Sequence, residues 1–320
     1  MSRGLLLTLA CIGLLGGCSS ANEDGNVPET FAIATGGPAG LYYPIGGGMA
    51  SLWSKNLRGV NAKAEVTGGS VTNVIQVARR ESELGIAMAD VVTDAYLGRG
   101  RFPDPLPLRV LFPAYPNIVH IITLAENGID DVEDFVGKRV SLGAAGSGTA
   151  VAAENVLTGL GLLLEDIAPV FLSFAETTSA LKDGTIDAGF VVGGLGIAAV
   201  TEIAVTRNLR LVSLTDANVE QLNKAYPTYT GYKIPAGTYD KQNHDVQALG
   251  IWSAVVVHES FPAEVAFKLT CSIYRHHEAL LKVSQVASAI IVENIHQLPT
   301  VPLHEGTQRF LDAPDKECDS

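Results

Sequence analysis

Three glycine-rich turns carry the most suggestive chemistry in this chain. The first, Thr35-Gly36-Gly37, opens the stretch "TGGPAGLYYPIGGGMASLW", which follows the apolar run Phe31–Ala34 and leads into a helical pattern. The second, Thr67-Gly68-Gly69-Ser70, follows "AEVT"; the third, Gly146-Ser147-Gly148-Thr149, follows "KRVSLGAA", and each again precedes a helix. Such turns bring backbone N–H groups close to a ligand, and the positive end of the helix behind them attracts a carboxylate or phosphate. Ser70 and Thr149 suit N-cap positions, which leave further N–H donors free. None of the turns contains lysine or arginine, so an anion there is held by neutral N–H and hydroxyl donors. Tyr42 and Tyr43 add apolar faces with hydroxyl tips. Asp90, at the end of "LGIAMA", either joins this set or caps the turn that follows it.

Other chemistries are less well supported. Ser147 lies in Ala145-Gly146-Ser147-Gly148-Thr149, which lacks the Gly-x-Ser-x-Gly pattern of a nucleophile elbow. The histidines form no His-Glu-x-x-His, and His276-His277-Glu278 places adjacent rings about 100° apart on a helix, poor for one metal ion. No metal and no cofactor is therefore expected. His304, in "PLHEGTQRF", is as well explained by a structural role as by ligand contact. The strongest rival is "DAGFVVGGLGIAAV", where Gly194-x-Gly196-x-x-Ala199 sits between a strand and a helix with Asp216 further on. That is the spacing of a dinucleotide-binding oxidoreductase.

The elements that must position these residues alternate. Strand-like runs such as "FAIAT", "NAKAEVT", "LGIAMA", "KRVSLG" and "DAGFVV" each precede a helical stretch, the signal of α/β architecture with largely parallel sheets. In such sheets the turns at strand ends lie on one edge, where ligands bind. Two stretches, "FPAYPNIVHIIT" and "YPTYTGYKIPAGTYDKQNHD", read as passages rather than elements because of their prolines. If the chain crosses at the first and returns at the second, one lobe comprises residues 31–118 and 248–320 and the other residues 119–247. Two crossings make a hinge.

Residues 1–17 combine a charged start, a short apolar core and Gly16-Gly17 before Cys18, which reads as a secretory signal. Leu15-Gly16-Gly17-Cys18 resembles a lipobox, implying lipidation of Cys18. Residues 18–30 read as a tether. The formal net charge of −12 argues against nucleic acid and anionic lipid as partners. Cys271 and Cys318 either pair in an oxidising compartment or stay apart, with Cys271 buried in an apolar helical pattern.

Taken in order, "TGGPAGLYYPIGGGMA", "TGGSVTNV", "DDVEDFVGKRVSLGAAGSGTAVAAENVL", "LSFAETTSALKDGTIDAGFVVGG" and the closing "PLHEGTQRFL" resemble the TAXI family of solute receptors. These serve TRAP transporters. The resemblance implies a type II periplasmic-binding-protein-like fold with two α/β lobes, a hinge and an interlobe cleft. It also implies a small organic anion as ligand, such as glutamate, 2-oxoglutarate or a related carboxylate, and a TRAP membrane permease as partner. Carried over by position, the ligand is lined by Thr35, Gly36, Gly37, Tyr42, Tyr43, Ser70, Asn73, Ser147, Gly148 and Thr149. Pro38-Ala39 stands where the family usually has Thr-Gly, which removes one hydroxyl and one backbone donor. The alternative is a ligand-sensing lipoprotein without a transport role.

Overall fold

The computed structural model describes residues 30–318; the expected signal segment, the lipidation site Cys18 and nearly all of the tether lie outside them. The chain begins with β1 (Thr30–Ala34), α1 (Tyr42–Asn56), β2 (Asn61–Glu65), α2 (Ser70–Ala78), β3 (Leu84–Met88) and α3 (Ala89–Leu97). Strand β1 pairs in parallel with β2 on one side and β3 on the other. All five residues of β3 are buried, as expected for a strand covered on both faces.

Next comes β4 (Leu108–Leu124), whose 17 residues run straight through Pro113 and Pro116. The sequence reading of that extended segment as a passage rather than an element is therefore corrected. Proline fixes an extended φ and favours extended backbone before it, so it is tolerated where the ladder does not need its N–H. The pairing with β10 (Val246–His258) is irregular there, slipping between Trp252 and Ala254, which face Pro116 and Pro113.

The intervening chain forms β5 (Arg139–Ser141), α4 (Gly148–Gly159), β6 (Ala168–Val170), α5 (Phe174–Lys182), β7 (Ala188–Gly193), α6 (Ala198–Thr206), β8 (Leu209–Leu211), α7 (Asp216–Ala225) and β9 (Tyr229–Ile234). Strand β9 lies inside the second stretch read as a passage, and it pairs with β10 over six residues. After β10 come α8 (Ala263–Arg275), α9 (His277–Leu281) and α10 (Glu305–Asp312).

The strands join in the order β2-β1-β3-β10-β4-β7-β5-β6, with β8 on β4 and β9 on β10. Within each end the pairing is parallel, but β10 runs antiparallel to β3 and β4, and β4 antiparallel to β7. The sheet is thus mixed rather than largely parallel. Two lobes result, each with its own core. Phe31, Met49, Trp53 and Leu269 centre one, and Trp53 Nε1 donates to Leu269 O at 3.0 Å. Phe135, Val140, Phe190 and Leu222 centre the other. Strand β4 gives Phe112 and Tyr115 to the first core and Val119 and Ile121 to the second; β10 divides itself likewise between Val255 and Leu249. Cys271 of α8 and Cys318 form a disulfide, which decides between the two alternatives for that pair.

Candidate functional site

The first turn is fixed from behind. Thr35 is wholly buried, and its N–H and Oγ1 both donate to Glu65 O, at 3.1 and 2.6 Å. It ties β1 to β2 and does not reach the open space in front. Helix α1 packs against it closely: a Cβ on Gly46 would stand 2.5 Å from Thr35 Cγ2, so only glycine fits.

The second turn is held by Asn73. Its Nδ2 donates to Thr35 O at 2.6 Å and to Ile86 O at 2.7 Å, while Oδ1 accepts from Thr67 Oγ1. Asn73 is completely buried, so it builds the site without lining it. Ser70 is not the cap: Gly69 holds the N-cap position, and Ser70 Oγ accepts from Met88 N at 3.1 Å. The α2 N–H groups of Val71 and Thr72 donate to Gly146 O at 3.1 and 3.2 Å. The positive end of α2 is thus closed by the third turn rather than open to a ligand.

The third turn has the opposite character. Ser147, not Thr149, caps α4, its Oγ accepting from Ala150 N at 3.1 Å. The N–H groups of Gly148 and Thr149 make no bond within the described residues, and neither does the Thr149 hydroxyl, although Thr149 is buried. A fourth helix end, missed by the sequence reading, joins them. Ser173 caps α5 and forms a reciprocal box with Glu176, leaving the N–H groups of Phe174 and Ala175 forward. The signal was present in "SFAE", a Ser-x-x-Glu box that overlaps the end of the strand-like "VFLSF".

These ends meet at one cavity of about 340 Å³. Of the expected residues, Gly36, Gly37, Tyr42 and Ser70 line it from one lobe, and Ser147, Gly148 and Thr149 from the other. Thr35, Tyr43, Asn73 and Asp90 do not. Tyr43, next along α1, points outward and is 37% exposed. Asp90 is buried elsewhere, its Oδ2 accepting from Tyr229 Oη at 2.8 Å and its Oδ1 from Val91 N. Burial raises its carboxyl pKa to about 6, against the pull of those two donors. Residues the sequence reading left out include Leu41, Met88, Tyr115, Asn117 and Val192. Pro38 and Ala39, the departure from the family pattern, are in the lining.

Among the described residues, no lysine, arginine, histidine or acidic residue lines the cavity. An anion there meets oriented N–H groups and helix dipoles, with no fixed counter-charge. The rival glycine turn is occupied. Gly196 N donates to Tyr239 Oη at 3.1 Å, and a Cβ on Gly194 would stand 2.5 Å from Leu41 and 2.7 Å from Val286. Tyr239 Oη also meets His120 Nε2 at 2.8 Å, while burial lowers the His120 pKa to about 4. His304 caps α10, its Nδ1 accepting from Gly306 N. His277 Nε2 bonds Ala287 O at 2.7 Å. Among the described residues no group of three or more His, Cys, Asp or Glu side chains is placed to hold a metal ion, and no helix is long and apolar enough to cross a membrane.

The profile of the NMT1-like family matches residues 33–312. Among solved structures, the chain is similar to MatC from Rhodopseudomonas palustris with bound malate, at 11% identity and a TM-score of 0.56, covering 88% of this chain and 95% of that one. It is also similar to the periplasmic binding protein BugD, at 13% identity and a TM-score of 0.54, covering 90% and 99%. A third structure, described as a periplasmic transporter, aligns at 14% identity and a TM-score of 0.51, covering 91% and 98%. At these identities the likeness establishes the fold alone, a two-lobed α/β arrangement that matches type II-like periplasmic-binding-protein folds.

Proposed function

Because the chain belongs to the NMT1-like family, we propose that it is an extracytoplasmic solute receptor that closes its lobes on a small organic anion and delivers it to a membrane permease. The TAXI resemblance favours a TRAP-type permease driven by an ion gradient, and a carboxylate as cargo. The observation that carries this reading is the cavity on which the N-terminal ends of α1, α4 and α5 face, where, among the described residues, the N–H groups of Gly148 and Thr149 are unpaired and no charged side chain joins the lining. Donors of that kind recognise an acid group directionally and still allow the release that a receptor requires.

The lobes are taken as residues 31–118 with 248–320 and residues 119–247, joined through β4 and β10. Ligand contacts from both favour the closed arrangement only by as much as they exceed the contacts available when open. Residues 1–17 then serve as an export signal and Cys18 as a lipid anchor, and the Cys271–Cys318 disulfide suits an oxidising compartment. A second reading, a sensor without transport, draws on Pro38 and Ala39: proline offers no N–H to a ligand at the first turn.

The test is a thermal-shift screen of the chain, refolded to strip carried-over solute, against amino acids, dicarboxylates, oxo acids, sugars and nicotinamide cofactors. A ligand that binds the native state alone raises the melting temperature by mass action. Shifts confined to carboxylates are expected. A shift with NAD, or with sugars only, overturns the reading.

A further inference from the structure

We propose that the ligand carries a hydroxyl group besides its acid group, and that Asn117 is the residue that recognises it; this rests on the carboxylate-receptor reading above. Asn117 lies within β4, is 1% exposed and lines the cavity. Its orientation is fixed by chemistry. Nδ2 approaches Ile251 O at 3.3 Å, and a carbonyl oxygen can only accept, so the amide nitrogen must face it. Nδ2 also donates to Tyr42 Oη at 3.3 Å, which uses both its hydrogens. The amide oxygen Oδ1 is left with no donor from the described residues, yet it is not among the polar atoms sealed away from solvent without a partner. It is a buried residue's free acceptor, open to the cavity.

The N–H groups of Gly148 and Thr149, unpaired within the described residues, face the same cavity as donors. A complementary ligand therefore presents acceptors to the helix ends and a donor to Asn117. An ammonium group fits this poorly, because no acidic side chain among the described residues lines the cavity to compensate its charge. A hydroxyl needs only one acceptor. An oxo acid offers oxygen lone pairs alone, so its carbonyl meets Oδ1 acceptor to acceptor and both stay unpaired. Sites built to hydrogen-bond a ligand hydroxyl discriminate strongly against the analogue lacking it.

Calorimetric titration of the full-length chain, after refolding, with the pairs lactate and pyruvate, 2-hydroxyglutarate and 2-oxoglutarate, and mandelate and phenylglyoxylate tests this across three body sizes. In each pair that binds, the hydroxy acid is expected to bind at least about tenfold tighter, and Asn117→Leu to shrink that ratio below about threefold. If Asn117→Leu does not fold, Asn117→Ser replaces it, and the wild-type ratios stand regardless. Oxo acids binding equally or more tightly overturn the inference and leave the receptor reading intact. A ratio unchanged in the variant removes Asn117 from the assignment. If no member of any pair binds, this inference fails, and the thermal-shift screen decides the receptor reading separately.

Discussion

Ser147 and Thr149 are two residues apart in one turn, and their hydroxyls do different work. The Ser147 hydroxyl is committed to Ala150 N, so Ser147→Ala is expected to cost about 0.5–2 kcal/mol of stability through the lost cap. The Thr149 hydroxyl has no bond to the described residues, so Thr149→Val is expected to leave stability nearly unchanged and to weaken ligand binding by about 1–3 kcal/mol. Urea unfolding and titration of both variants check the contrast; unchanged affinity in Thr149→Val removes that hydroxyl from the site. Asp90 makes a pH prediction. Its folded pKa of about 6 exceeds the ordinary 3.8, so the folded chain holds this proton more tightly than the unfolded chain does. The resulting stability is fully present below 3.8 and is lost as pH rises through 6. It amounts to at most about 2–3 kcal/mol. Asp90→Asn keeps an acceptor for Tyr229 without the charge, and its unfolding free energy should lack this fall between about pH 4 and pH 7. Superimposable pH profiles for the two proteins contradict the assignment.

At the scale of elements, the second and third turns interlock. Gly69 has φ of +110° and a Cβ there would lie 3.2 Å from Ser147 Cα, whereas a Cβ on Gly37 meets nothing within 4 Å. Gly69→Ala should therefore destabilise the chain by about 1–3 kcal/mol. Gly37→Ala should leave stability close to wild type while intruding on the cavity, raising the Kd. Comparable melting temperatures for both variants count against the interlock. The glycine turns were legible in the sequence because their composition is local, and so was the α/β alternation. The caps were misassigned, Ser70 for Gly69 and Thr149 for Ser147, because several small residues in a row each satisfy a cap pattern. That the α2 end closes on Gly146 O was not legible, since it depends on a contact between residues 74 or more apart. Asn117 was hidden for another reason: it sits in a strand interior, where neither spacing nor turn chemistry marks it. The prolines of β4 misled because local rules make them breakers, while register at an irregular ladder accommodates them.

The whole molecule is two lobes sharing two long strands, with the cavity between them. That arrangement follows from β4 and β10 each placing side chains in both cores. The disulfide acts at a distance from this hinge, fastening the C-terminal segment to α8 beside Phe267 and Phe310. It closes a loop across a separation of 47 residues, so Cys271→Ala with Cys318→Ala is expected to lower stability by about 2–4 kcal/mol without altering ligand affinity. A changed Kd in that double variant would tie the C-terminal segment to closure. The most direct test of the receptor account is a crystal structure of the chain bound to the carboxylate that stabilises it most. The account predicts the acid group within hydrogen-bonding distance of the Gly148 and Thr149 N–H groups, with both lobes in contact with the ligand. An acid group lodged away from the α1, α4 and α5 ends, or a ligand touching one lobe alone, contradicts it.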